Sequence, residues 1–455
     1  MQPTALAASV AISPGLSPDL APGLPWAAPF LGILTSIAIV PMLAPRFWHR
    51  RMAWVAAFWI AALLVPEWVM TGAGAAAADA WRSVLLEYLP FVTLLLALYA
   101  AGGGILVRGG ATGTPAGNTA MLSAGVALGV VMGQAGAAMV VINPLLHANA
   151  HRRRKVHLPL FLIVLVANAS GALTPLGNPP LYIGFLQGVP FFWPTNHLAA
   201  PWITLNLLLL AIFYFLDRRL AAEERPAPPP VPLRVRGWFN AALILIAGAA
   251  VLAQDAVSAG EIDAFGQPVA VMRLAAVGVF LAVTVTSALI TPKAVRQGND
   301  FTWGPMIEVA LLFLAIFITI EPVLQMLEAG LAGPFAPMLR ATETPGGAPR
   351  PAAFFWLAGI LSAFLDNAPT YLVFFKLAGI NPAAISGAQE AALRALSAGA
   401  VFFGGLTYIG NAPNMMVRGV ASHRGVRMPG FFGYSFLAAL LMLPVFVLLT
   451  ALFFR

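Results

Sequence analysis

The chain has 455 residues, 60% of them hydrophobic and only 9% charged, with a formal net charge of +8 and a mean hydropathy of +0.85. A soluble domain carries about 25% charged residues, so this composition excludes an ordinary cytosolic enzyme, a nucleic-acid module and a disordered chain. The apolar runs are continuous and about 20 residues long, the length of a bilayer-spanning helix. A barrel would instead alternate in ~10-residue strands, so the fold class is an all-α polytopic membrane protein. The absence of cysteine excludes disulfides and thiolate metal sites.

Residues 1–26 form an N-terminal segment with no Lys or Arg ahead of its first apolar stretch, which argues against a cleaved signal peptide. Spans are expected near 27–45, 53–71, 86–107, 157–190 and 200–217. A linker at 222–236 (AAEERPAPPPVPLRV) is Pro-rich, charged and extended. Five more spans follow near 237–254, 269–291, 303–327, 389–417 and 429–454. Two further apolar runs, 118–148 and 351–380, are interrupted near their centres by Gly, Pro, Asn or Ser. Each is too long for one span and too broken for two, and both read as re-entrant helical hairpins, whose broken backbone must be buried in protein or line a cavity.

The positive-inside rule fixes an orientation. With Arg46, Arg50 and Arg51 cytoplasmic, alternation also places Arg108, Arg152 to Lys155, Arg234, Arg236, Lys293, Arg424 and Arg427 inside. Asp79, Glu87, Glu261 and Asp263 then lie outside, together with both termini. Each half has five spans plus a hairpin, an odd number of crossings, so residues 27–221 and 237–455 form two inverted repeats.

A repeated motif supports this division. GALTPLGNPP at 171–180 matches GGLTYIGNAP at 404–413, and Thr174, Gly177 and Asn178 recur as Thr407, Gly410 and Asn411 at a constant offset of 233. At the same offset Gln134 falls on Asn367, at the centres of the two hairpins. Repeats in opposed topologies that meet at broken helices are the pattern of a secondary transporter with a midplane site. Glycine permits the break. Pro180 and Pro413 lack an N–H, so the carbonyls of Leu176 and Ile409 are expected to be free. With the Thr hydroxyls and Asn amides they would offer neutral oxygens to a hard cation such as Na⁺.

Asp366 is the sharpest single residue, an acid inside SAFLDNAPTYLVFF, where a charge at bilayer depth costs about 2.5–3.5 kcal/mol. Asp366 or Asn367 could cap a half-helix restarting at Pro369 while also binding a cation. Thr370 lies one turn further on, and Glu308 near the cytoplasmic end of its own span completes the candidate set. No phosphate-binding loop, zinc-protease motif or catalytic set is present, so no enzymatic activity and no resident cofactor is expected. A channel would need a continuous polar pore, and the polar groups sit at one depth only.

The segments SGALTPLGNPPLYIGFLQGVPFFW, SAFLDNAPTYLVFFKLAG and GGLTYIGNAPNMMVRGVASHRGVRMPGFFGY resemble the sodium:proton antiporter and citrate transporter group of the ion transporter superfamily. That superfamily also holds NhaD-type antiporters, arsenite exporters and sodium-coupled dicarboxylate symporters. The resemblance implies a homodimer in a bacterial-type cytoplasmic membrane, with a scaffold part and a transport part in each protomer. It implies Na⁺ as transported or coupling ion, with Asp366, Asn367, Asn178 and Asn411 as its ligands. Asp366-Asn367 is similar to the Asp-Asn pair of NhaD-like antiporters, while the first tip, Gly133-Gln134-Ala135, keeps only an amide. Exchange of Na⁺ for H⁺ is the expectation, with cation-coupled citrate or dicarboxylate uptake as its alternative.

Overall fold

The structure, a computed structural model, describes residues 23–110, 112–226, 229, 231–344 and 346–455. Most of the N-terminal segment 1–26 and three positions of the 222–236 linker lie outside the described residues. Among the described residues, eight helices are long and apolar enough to cross a membrane, or nine when one bent pair is taken together.

The chain opens with α1 (Ala28–Leu43), α2 (Pro45–Thr71) and α3 (Ala73–Ser83). A π-helical turn, Val84–Tyr88, carries α3 directly into α4 (Leu89–Gly102), so the expected 86–107 span begins at residue 73 and ends at 102. The π turn has a local cause. Pro90 has no N–H for the carbonyl of Leu86, and Arg273 Nη1 donates to that carbonyl instead, at 3.3 Å. Past α4, β1 (Leu106–Arg108) pairs antiparallel with β2 (Arg234–Arg236), so the linker expected to be extended ends in a two-stranded ribbon.

The first interrupted run is a helical hairpin of α5 (Pro115–Met132) and α6 (Gln134–Ala148), with Gly133 between them. The Thr114 side chain caps α5 by accepting from Gly117 N at 3.1 Å. Next, α7 (His157–Leu165) unwinds through residues 166–178, and α8 (Pro179–Leu186) restarts. The long α9 (Trp193–Ala221) closes this half. Buried Asp217 near its end accepts from Arg152 and from Asn118 Nδ2 at 2.8 Å, and it meets His157 Nε2 at 2.8 Å. This knot ties the base of the hairpin to α7 and α9.

The second half contains α10 (Phe239–Ala256), a ribbon of β3 (Glu261–Asp263) and β4 (Pro268–Ala270), α11 (Val271–Ile290) and the short α12 (Lys293–Gly298). The expected 303–327 span is α13 (Gly304–Thr319) and α14 (Glu321–Glu328), bent by 41°. Pro322, in the first turn of α14, leaves the carbonyl of Ile318 without a helical donor at that bend. After α15 (Ala336–Thr342) comes the second hairpin, α16 (Pro351–Leu365) and α17 (Asn367–Leu377), with Asp366 between them. A second unwound stretch, 403–411, separates α18 (Gly387–Phe402) from α19 (Ala412–His423), and α20 (Phe431–Phe453) ends the chain.

Burial follows backbone regularity. The helices that lead into the breaks, α7 and the second half of α18, are almost entirely enclosed. The unbroken α2 and α20 present Trp54, Phe58, Phe432, Phe436 and Leu440 on the outer surface, as suits contact with lipid. Irregular backbone, with its unpaired N–H and C=O groups, therefore sits inside a wrapping of complete helices.

Candidate functional site

Each hairpin turns at one residue. Gly133 has φ 76° and ψ 152°, and Asp366, at the offset of 233, has φ 69° and ψ 151°. That backbone region is open almost only to glycine and costs another residue about 1–3 kcal/mol. The first tip uses glycine where the turn demands it, and the second places an acid in the same conformation. The Asp366 carboxylate accepts from Asn367 N at 2.6 Å, capping α17, which starts at Asn367 rather than at Pro369. Buried Thr370 donates its hydroxyl to the Asp366 carbonyl at 2.9 Å.

The breaks repeat at the level of single hydrogen bonds. Thr174 Oγ1 donates to the carbonyl of Val130 and accepts from Gly177 N at 3.2 Å. Thr407 Oγ1 donates to the carbonyl of Ala363 and accepts from Gly410 N at 3.0 Å. Both hydroxyls thus staple their unwound loop to the last turn of the first arm of the adjacent hairpin. Thr407 Oγ1 also accepts from Ile409 N at 3.2 Å, so its proton and both lone pairs are committed, whereas Thr174 Oγ1 keeps one lone pair uncommitted. The carbonyls of Leu176 and Ile409, opposite the two prolines, accept no backbone hydrogen bond among the described residues. Pro180 and Pro413 occupy the first turns of α8 and α19, where an N–H is not required, so they pre-set the restart and the loops upstream make the break. Gly410 has no spare room: a Cβ there would lie 2.7 Å from the Gly404 carbonyl oxygen and 2.9 Å from that of Ala363.

The halves are joined crosswise. Asn367 Nδ2, on the second hairpin, donates to Asn178 Oδ1 in the first break at 2.9 Å. Asn411 Nδ2, in the second break, donates to Gln134 Oε1 on the first hairpin at 2.7 Å. Each pair becomes the other when the two halves are exchanged, with donor and acceptor reversed. Asn411 Nδ2 also lies 3.0 Å from the Ala167 carbonyl and 3.2 Å from Asn168 Oδ1, Gln134 Nε2 donates to the Asn168 carbonyl, and Gln134 N donates to the Gly177 carbonyl at 3.2 Å. Asn168 in turn donates to Asn414 Oδ1 at 2.7 Å. Sequence reasoning missed Asn168 and Asn414, and the only signal for them is an amide amid apolar neighbours.

In the Gln134–Asn411 pair both amide N–H groups and Gln134 Oε1 have partners, while Asn411 Oδ1, at the cavity wall, accepts no hydrogen bond among the described residues. In the other pair, Asn178 Nδ2 and Asn367 Oδ1 are buried with no hydrogen-bond partner. Swapping the assigned O and N of either amide still leaves polar atoms unpaired. Such orphans are rare in folded proteins, and here they lie beside Asp366.

A cavity of about 90 Å³ opens beside this cluster. Gly133, Gln134, Gly177, Asp366 and Asn411 form its polar wall, and the rest is apolar, including Leu98, Met306 and Met416. Asp366 is the only carboxylate in that lining, and no Lys, Arg or His contributes. Thr174, Asn178, Asn367, Thr370, Thr407 and Gly410 stand behind it. Glu308 does not join them: its carboxylate accepts from Trp48 Nε1 at 2.8 Å, turned to α2 and away from the cavity that its neighbours Met306 and Val309 line. Among the described residues no group of three His, Cys, Asp or Glu side chains could hold a metal ion. A cation at Asp366 would therefore depend on neutral oxygens for its other contacts.

A family profile described as "Putative citrate transport" matches residues 21–454. The chain belongs to this family. Its broken helices and apolar outer helices are thus those of a multi-pass membrane protein of a transporter family. A search of curated proteins finds no match.

Proposed function

We propose that the protein is a secondary active transporter that exchanges Na⁺ for H⁺ at Asp366. The observation that carries this reading is an acid held in a backbone conformation suited to glycine, at the wall of a cavity that contains no other carboxylate and no basic group. Na⁺ takes the Asp366 carboxylate and the unpaired Asn367 Oδ1, with remaining contacts from backbone carbonyls near the hairpin tip. Asn178 and Asn411 hold the amide frame that positions them. A proton competes for the same carboxylate, so the two ions bind alternately. If the halves are inverted across the bilayer, the same residues can be exposed to each side in turn. The protein then sits in a bacterial-type cytoplasmic membrane as a homodimer, with its N-terminal segment on the outer side.

The test is purified protein in liposomes loaded with a pH-sensitive dye and given pulses of Na⁺. Alkalinisation of the lumen on each Na⁺ pulse is expected, because Na⁺ entering drives H⁺ out, and it should vanish in Asp366→Asn. Proton movement that ignores Na⁺, or survives that substitution, refutes the reading.

A second reading is cation-coupled uptake of citrate or another carboxylate. The family description supports it, and so do the starts of four half-helices, α6, α8, α17 and α19, around one cavity, since helix N-termini favour anions. Labelled citrate accumulating under a Na⁺ or H⁺ gradient would favour it over simple exchange.

A further inference from the structure

We propose that a second cavity, framed by the β1–β2 ribbon, is a binding site for a multivalent oxyanion, phosphate-like or carboxylate-like in chemistry. This cavity measures about 860 Å³ and is bounded by the ribbon, the end of the linker, the last turns of α6 and the carbonyl end of α12. Its lining contains Arg108, His147, Lys155, Arg234 and Arg424 and, among the described residues, no Asp or Glu. It is separate from the cavity at Asp366, with which it shares no lining residue.

The ribbon itself points to the ligand. Arg108 and Arg234 are directly opposed across the two antiparallel strands. Opposed residues in such a pair have Cβ atoms about 4.5–5.5 Å apart, and like charges there oppose folding. An orientation signal needs positive charge in the loop but does not need two arginines facing each other. The conflict is relieved when an anion lies between the guanidinium groups, whose planar donors suit phosphate and carboxylate oxygens.

Nearby acids do not supply that relief. Among the described residues, no carboxylate pairs with Arg108, Lys155 or Arg234. Asp300 is bonded to Arg424 at 3.1 Å. Glu223 pairs with Arg154, and Glu224 accepts from the backbone N–H groups of Arg153 and Arg154, which hold its carboxyl below the usual range. Three cations therefore converge unpaired on one concave space large enough for a pyrophosphate, a tricarboxylate or a lipid headgroup. A ligand there bridges the first hairpin, the linker and the loop after α19.

The full-length protein in neutral detergent is titrated with inorganic pyrophosphate at constant ionic strength, followed by calorimetry and by the unfolding midpoint. Saturable binding at one site per chain is expected. The R108Q/R234Q variant should bind at least about tenfold more weakly, since each charge-assisted contact is worth roughly that factor. Without pyrophosphate this variant should unfold no earlier than the parent, because a repulsion has been removed. K293Q, which deletes an exposed charge outside the cavity, should leave binding unchanged. A parallel arm places the protein in nanodiscs with or without phosphatidylglycerol. Loss of pyrophosphate binding only with the anionic lipid names a headgroup as the resident anion, and unchanged binding names a soluble one. No saturable binding in detergent or in nanodiscs without phosphatidylglycerol, or equal weakening by K293Q and R108Q/R234Q, overturns the proposal. None of these readouts depends on Na⁺ or proton transport.

Discussion

Replacing Asp366 by glycine separates the two roles of this residue, as a bearer of charge and as a bearer of strain. Its φ of 69° and ψ of 151° place it where a side chain costs about 1–3 kcal/mol. Glycine removes that cost. Its loss of the cap to Asn367 N costs only a few tenths of a kcal/mol, whereas alanine loses about 1 kcal/mol at a cap and keeps the strain. Glycine gives back about 0.5–1 kcal/mol through the freedom of the unfolded chain. D366G is therefore expected to be more stable than D366A by roughly 1–3 kcal/mol, read as a higher unfolding midpoint in detergent. Both variants should lose Na⁺-dependent proton flux in liposomes completely. Equal stability of the two would show that the turn stores no strain, and flux retained in D366G would show that the carboxylate does not carry the ion.

Other substitutions test the surrounding frame. Thr174→Val deletes one donated and one accepted hydrogen bond and Thr407→Val one donated and two accepted, and each should lower stability by about 1–3 kcal/mol in denaturant titration, with the larger loss at Thr407. A double-mutant cycle on Gln134→Ala and Asn411→Ala should return a coupling of about 0.5–3 kcal/mol, and additive losses would deny the contact. Glu308→Gln should keep transport within a few-fold of the parent, because the amide oxygen still accepts from Trp48; abolished flux would restore Glu308 to the ion path. Asp217→Asn leaves Arg152 buried beside a neutral partner and should cost about 3–5 kcal/mol, with much of that recovered on adding Arg152→Met.

The sequence made some of this visible because its signals are local. A Gly or Asp between two apolar runs marks a hairpin turn, and a ten-residue motif recurring at a fixed offset marks two equivalent breaks. What it hid depends on contacts between distant residues. The three-residue strands β1 and β2 pair across more than 120 positions, and no propensity signal survives at that length. The third span starts at residue 73 rather than 86, because Ala-rich residues 73–80 are only weakly apolar and the π turn joins them to Leu89 without a break. The hydrogen bonds that the Thr174 and Thr407 hydroxyls donate, to the carbonyls of Val130 and Ala363, reach 44 residues away in each case, and residue type alone does not reveal them. Glu308 illustrates the same point, since only the position of Trp48 decides which way it faces.

The crosswise amide bonds constrain how the molecule can move. Asn178 and Asn411 each grip the hairpin of the opposite half, not their own. Neither tip can withdraw while its grip persists, and the grip beside Asp366 is the one that leaves two buried polar atoms without partners. Under the exchange proposed at Asp366, a change of charge there bears first on that bond.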